Sequence, residues 1–127
     1  MYDLVLLAAG PPEWSREQFI AWWRGEHADL TRELPGLRRW RHIAVDRPLE
    51  PRSDGWDGLS ILSFDSAEAL QAALDSPEWA AAVRHVGAMR GRRIALLGEE
   101  VELFAAESSV HVAGQAADDG LLRRDGR

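Results

Sequence analysis

The chain has 127 residues, 46% of them hydrophobic and 28% charged, with a formal net charge of −6 and no cysteine. Such a length holds one domain with a real core, and the composition is that of a globular protein rather than a disordered one. It excludes disulfides, thiolate metal sites and a cysteine nucleophile, argues against nucleic-acid and membrane partners, and makes a cytoplasmic protein the simplest expectation.

Residues 2–9, YDLVLLAA, form an apolar run closed by Gly10-Pro11-Pro12 and read as a first strand. Asp3 ahead of the run, and no basic start, separate it from a signal segment. Ser15 and Gln18 make a capping box before a helix of about five turns. Phe19, Trp23, His27, Leu30 and Leu34 fall in one stripe of that helix at ~100° per residue. Pro35-Gly36 stops it.

Residues 37–44 alternate as a strand, with Arg38, Trp40 and His42 on one face and Leu37, Arg39, Arg41 and Ile43 on the other. A proline-bearing loop over 46–57 leads to a further strand, Gly58–Phe64. Asp65 with Glu68 caps a short helix, and Ser76 with Pro77 at the first helical position starts another through Trp79, Val83 and Val86. The last strand is expected over 94–105, interrupted near Gly98. The domain thus spans 1–107, and the small and charged residues of 108–127 read as a poorly ordered tail. The basic groups at 37–41 and 90–93 are expected as solvated edges and loops, with the rim of an acidic ligand's site as the alternative.

The order β-α-β-β-α-β is the ferredoxin-like split unit, an α+β fold with a four-stranded antiparallel sheet and the helices on one face. The opposite face would leave apolar residues bare. A second copy packing sheet to sheet is therefore expected, giving a homodimer.

The segment FIAWWRGEHADLTRELPGLRRW resembles the signature of the EthD family: a helix with a Trp and then a His, a Leu-Pro-Gly-Leu turn, and an aromatic-bearing strand. WDGLSILSFDSAEALQAALDSPEW is similar to that family's second block, in which Asp-Gly leads into a strand, a short helix and a Ser-Pro-Glu restart. The resemblance covers roughly residues 2–105. It implies a dimeric α/β barrel. For chemistry it implies less, because EthD-like proteins include an accessory protein of ether degradation, a lactone methylisomerase, and dehydratases or cyclases of aromatic polyketides. The helix histidine, here His27, is the residue suspected of proton transfer in them. Where a relative carries Tyr on the strand, this chain has Trp40, so no phenol acid acts from there.

An imidazole titrates near pH 6.5, so His27 can take and return a proton, and burial would keep it neutral. Its plainer role is a satisfied core histidine. Among the six tryptophans, Trp22, Trp56 and Trp79 read as packing. Trp23 and Trp40, with Phe19 and Phe64 nearby, read as walls for a flat aromatic ligand, with core packing the alternative. His42 shares a strand face with Trp40; Asp57 either orients a ligand or caps the turn into Gly58. His85 is expected at the surface or an interface, and His111 in the tail. No metal-ligand spacing, GxGxxG, P-loop or nucleophile elbow occurs, which leaves haem on a single histidine as the one cofactor alternative to none. The expected protein is a cofactor-free enzyme of small aromatic or polyketide-like metabolites, of isomerase or lyase type (dehydratase or cyclase), with an apolar pocket on the His27 face. The alternatives are a non-catalytic binding or accessory protein and a cofactor-independent oxygenase.

Overall fold

The computed structural model describes residues 1–107, so the expected tail at 108–127 lies outside the described residues. Along the chain run β1 (Tyr2–Ala9), α1 (Arg16–Arg24), α2 (Glu26–Thr31), β2 (Arg39–Ala44), β3 (Gly58–Phe64), α3 (Ala67–Leu74), α4 (Pro77–Met89) and β4 (Arg92–Glu99). The strands form one four-stranded sheet in the order β2-β3-β1-β4, with every neighbouring pair antiparallel. This is the ferredoxin-like arrangement that the order of elements led us to expect.

Strand alternation decides which residues meet the helices. Leu4, Leu6 and Ala8 of β1 stand in register with Leu62, Ser60 and Gly58 of β3, and all face the helical layer. There they pack with Phe19 and Trp23 of α1, Leu70 and Ala73 of α3 and Met89 of α4. The opposite face carries Val5 and Leu7 of β1, Leu59 and Ile61 of β3, Ile43 of β2, and Ile94 and Leu96 of β4. Ile43, Ile94 and Leu96 are 53%, 44% and 61% exposed. Among the described residues no helix is long and apolar enough to cross a membrane.

Several boundaries differ from expectation. The single five-turn helix is two helices broken at Gly25, whose backbone (φ −99°, ψ −102°) leaves the helical region. A Cβ at Gly25 would sit 2.8 Å from the carbonyl oxygen of Ala21, so the break relies on glycine. The stripe survives the break, with Phe19, Trp23, His27 and Leu34 all buried. Ser15 caps α1 as expected, but α3 is capped by Ser66 instead of Asp65, because the Ser66 hydroxyl accepts from the backbone N–H of Ala69. Strand β4 starts two residues early and ends at Glu99. Beyond it Val101, Leu103 and Phe104 are exposed rather than paired.

The turn from α4 into β4 brings two backbones into contact. Arg90 takes the left-handed conformation (φ 62°) that glycine usually fills after a helix. Gly91 is needed one residue later, because a Cβ there would lie 2.1 Å from the carbonyl oxygen of Ala9. Gly91→Ala is therefore expected to destabilise the protein by about 3 kcal/mol or more. Gly87→Ala, on the exposed side of α4 with no atom within 4 Å, should stabilise it by about 0.5–1 kcal/mol. Urea unfolding midpoints of the two variants check both signs.

Candidate functional site

The break at Gly25 puts His27 in the first turn of α2, where it is only 3% exposed. Its ring lies against two indoles: Trp22 is stacked at 4.9 Å and 10°, and Trp23 is tilted at 4.7 Å. His85 of α4 comes to the same place, its Nδ1 3.1 Å from Nδ1 of His27. Trp22 stacks on His85 as well, at 4.8 Å and 10°, so the one indole lies against both imidazoles, whose planes are within 4° of parallel. Nε2 of His85 stands 3.9 Å from the Glu26 carboxylate at the surface. His85, expected at the surface or an interface, is thus a half-buried partner of His27. The reason is helical spacing, since His85 follows the buried Ala82 by three residues on α4. Burial first, then the charges of His85 and Arg93, lower the pKa of His27 to about 4. The ring is neutral at pH 7.

Trp23 and Trp40 come together across a single buried hydroxyl. Nε1 of Trp23 donates to Oγ of Ser60 at 3.0 Å, and Nε1 of Trp40 donates to the same oxygen at 3.3 Å. The space that His27, Trp23, Trp40, Trp79, Ser60 and Arg93 enclose is consequently only about 10 Å³, near the minimum for one water molecule. The apolar pocket expected on this helix face is thus nearly filled by the indoles themselves. Trp40, half-buried on the edge strand, also walls an open cleft of about 290 Å³ with Arg24, Ala28, Arg32 and His42.

His42 packs on Trp23 at 5.8 Å and accepts a hydrogen bond at Nδ1 from Nε of Arg24 at 3.1 Å. Its proton therefore sits on Nε2, which is buried without a partner. Burial first, then the Arg24 charge, lower its pKa to about 4. Phe19 is fully buried against Trp22 and Trp23 and supports them from the core side. Phe64 and Asp57 stand apart from this group. Phe64 is fully buried in the register pair with Tyr2. Asp57 accepts from the backbone N–H of Gly10 at 2.8 Å, at the far rim of a separate cleft of about 520 Å³ with Trp14 and Trp56.

Sequence reasoning left Ser60, His85, Arg93 and Trp22 out of the site. Ser60 had a signal: it is the polar member of the inward series Gly58, Ser60, Leu62, Phe64. Arg93 departs from the solvated role expected for the 90–93 group. Its guanidinium lies over the Trp79 ring at 5.6 Å and lines the His27 cavity. Among the described residues no three His, Asp or Glu side chains cluster as a metal site.

The two depressed histidines make stability depend on pH. In the unfolded chain each titrates near 6.5, but in the fold near 4, so between those values the unfolded chain binds protons that the fold refuses. The stabilisation is fully present above pH 6.5 and is lost as pH falls towards 4. The melting temperature should decline from pH 6.5 down to about pH 5, and a His27→Gln, His42→Gln double variant should flatten that decline. Calorimetric melts across the interval decide it.

Comparison with known proteins places this geometry. Residues 11–88 match the EthD domain. No curated protein matches the chain. Solved structures do: an EthD-family protein from Bacillus halodurans c-125 superposes with a TM-score of 0.63 at 24% identity, over 80% of this chain and 100% of the other. A dimeric ferredoxin-like protein of unknown function from Thermobifida fusca gives 0.53 at 19% identity, over 76% and 88%. SnoaB, a cofactor-independent oxygenase from Streptomyces nogalater, gives 0.57 at 15% identity, over 80% and 93%. At these identities the likenesses are of fold. The domain match spans more than half of the chain and contains the Trp22–Trp23–His27 segment, and the chain belongs to the EthD family.

Proposed function

We propose that the protein is a cofactor-free enzyme of small aromatic or polyketide-like molecules, in which His27 takes a proton from carbon and returns it, as in an isomerisation, dehydration or cyclisation. The observation that carries this reading is a buried, neutral imidazole with one ring nitrogen already engaged by His85 and the ring lining an indole-walled cavity. A neutral imidazole is the form that accepts a proton, and apolar walls strengthen its bond to a ligand. Proton transfer of this kind needs neither metal nor redox group. Trp40 belongs to both the closed cavity and the open cleft, so turning it aside joins the two into a space for a flat ring system. The guanidinium groups of Arg24 and Arg32 at the cleft suit the oxygens such molecules carry, and His42 walls it.

A second copy covering the outer sheet face belongs to the same proposal. Exposed Ile43, Ile94 and Leu96 support it, as does the dimeric state of the Thermobifida fusca relative. Sedimentation should give twice the mass of one chain, and Leu96→Glu should give the single chain; a wild-type monomer ends the dimer proposal.

The bicyclic ketone 2-tetralone is a suitable probe, because its ring is flat and its α-hydrogens are acidic. In deuterated buffer the protein should catalyse exchange of those hydrogens, followed by NMR. His27→Ala should lower the exchange rate by about 100-fold or more while keeping affinity within about tenfold, or ~1.4 kcal/mol. Unchanged exchange in that variant rejects the reading. Binding without exchange favours a carrier, exchange replaced by oxygen uptake favours an oxygenase, and a haem absorption band in the purified protein overturns the cofactor-free reading.

A further inference from the structure

The Nδ1 atoms of His27 and His85, 3.1 Å apart, share one proton, since two lone pairs or two N–H groups would repel at that distance. Which ring owns the proton follows from what lies beyond. Nε2 of His85 faces the Glu26 carboxylate at 3.9 Å, and a carboxylate favours N–H over a lone pair. With its proton on Nε2, neutral His85 presents a lone pair at Nδ1, so the shared proton belongs to Nδ1 of His27. The Nε2 of His27 is then a bare acceptor, and its ring lines the cavity. Two elements bring charged groups to this pair: Glu26 on α2 and Arg93 on β4.

We infer that His27 and His85 form a two-imidazole proton relay, in which His85 and not His27 holds the positive charge once a proton has been taken. This rests on the reading of His27 as the proton-transfer group. In the step, the C–H bond of the substrate breaks and leaves its electron pair on the substrate as an enolate. The proton forms an N–H bond at Nε2 of His27, the N–H bond at Nδ1 of His27 breaks, and that proton forms an N–H bond at Nδ1 of His85. His27 ends neutral, in its other tautomer, and now donates from Nε2. His85 becomes an imidazolium. The reverse step returns a proton to the substrate, so nothing is consumed.

The surroundings favour the cation at His85 over His27. His27 is almost wholly buried beside Arg93, whereas His85 is half-buried beside Glu26. Trp22 stacks against both rings, whose planes lie within 4° of parallel. An indole face also attracts a cation placed over it. Trp22, Glu26 and His85 are thus positioning groups, and His27 alone meets the substrate.

The test is long-range ¹H–¹⁵N correlation NMR of the full chain. At neutral pH His27 should be the Nδ1–H tautomer. His85→Leu removes the acceptor and should leave His27 as Nε2–H. His85→Asn keeps an acceptor near the Nδ1 position but cannot take the proton, so it should keep the tautomer and slow 2-tetralone exchange at least about tenfold. Finding His27 as Nε2–H at neutral pH overturns the relay, and so does full exchange activity in His85→Asn. The tautomer measurement involves no substrate. Failure of the functional reading, seen as unchanged exchange in His27→Ala, is therefore distinguishable from failure of the relay.

Discussion

The Ser60 hydroxyl is where the helical layer and the sheet are joined. It stands inward on β3, 1% exposed, and accepts from Trp23 of α1 and Trp40 of β2. An indole brought into a core loses water from its N–H, and a buried donor left unpaired costs about 1–3 kcal/mol. One oxygen with two lone pairs satisfies both indoles. The largest side chains of the site can then converge without an orphaned donor. That convergence closes the cavity beside His27 and sets the wall on which His42 packs.

The same packing determines the state of the two inner histidines. Each is withdrawn from water and placed beside a guanidinium, Arg93 for His27 and Arg24 for His42. Both influences act against the charged form, so both rings are neutral. The two nevertheless differ in what is left over. His42 spends Nδ1 on Arg24 and buries Nε2 without a partner, which makes it a wall. His27 spends Nδ1 on another imidazole, which can itself accept or give a proton. Only the second arrangement connects the interior to a group near solvent.

Local signals made most of the fold legible. An apolar run marked β1 and alternation marked β2, the caps at Ser15 and Ser76 marked α1 and α4, and the order of elements pointed to the ferredoxin-like sheet. The break at Gly25 was not legible, since a glycine inside a helical stripe is tolerated at a cost of about 1 kcal/mol and need not break it. The site was legible in part. Phe19, Trp23 and His27 share a stripe, and Trp40 and His42 share a strand face, so helical and strand periods alone collect them. His85 lies 58 residues from His27 in sequence and Ser60 lies 37 from Trp23. Such pairs arise from how α4 and β3 pack, and no local pattern encodes them. Asp57 precedes β3 and Phe64 ends it, and a strand of seven residues at ~3.3 Å each sets them about 20 Å apart, too far to serve one small site.

A closed cavity and a proton-transfer site are compatible because the two indoles are not held equally. Trp23 sits on a helix inside the core, 2% exposed, with the shorter bond to Ser60. Trp40 sits on the edge strand, half-buried, with the longer bond and with Arg32 over its outer face at 5.9 Å. Turning Trp40 outward forfeits a hydrogen bond worth about 1 kcal/mol net and leaves Ser60 still bonded to Trp23. Turning Trp23 would open the core. If the site admits a ring system, the strand tryptophan is the side chain that gives way, and the incoming ring takes over the contacts that Trp40 leaves. Until then the same side chain keeps bulk water from the neutral imidazole that the chemistry would use.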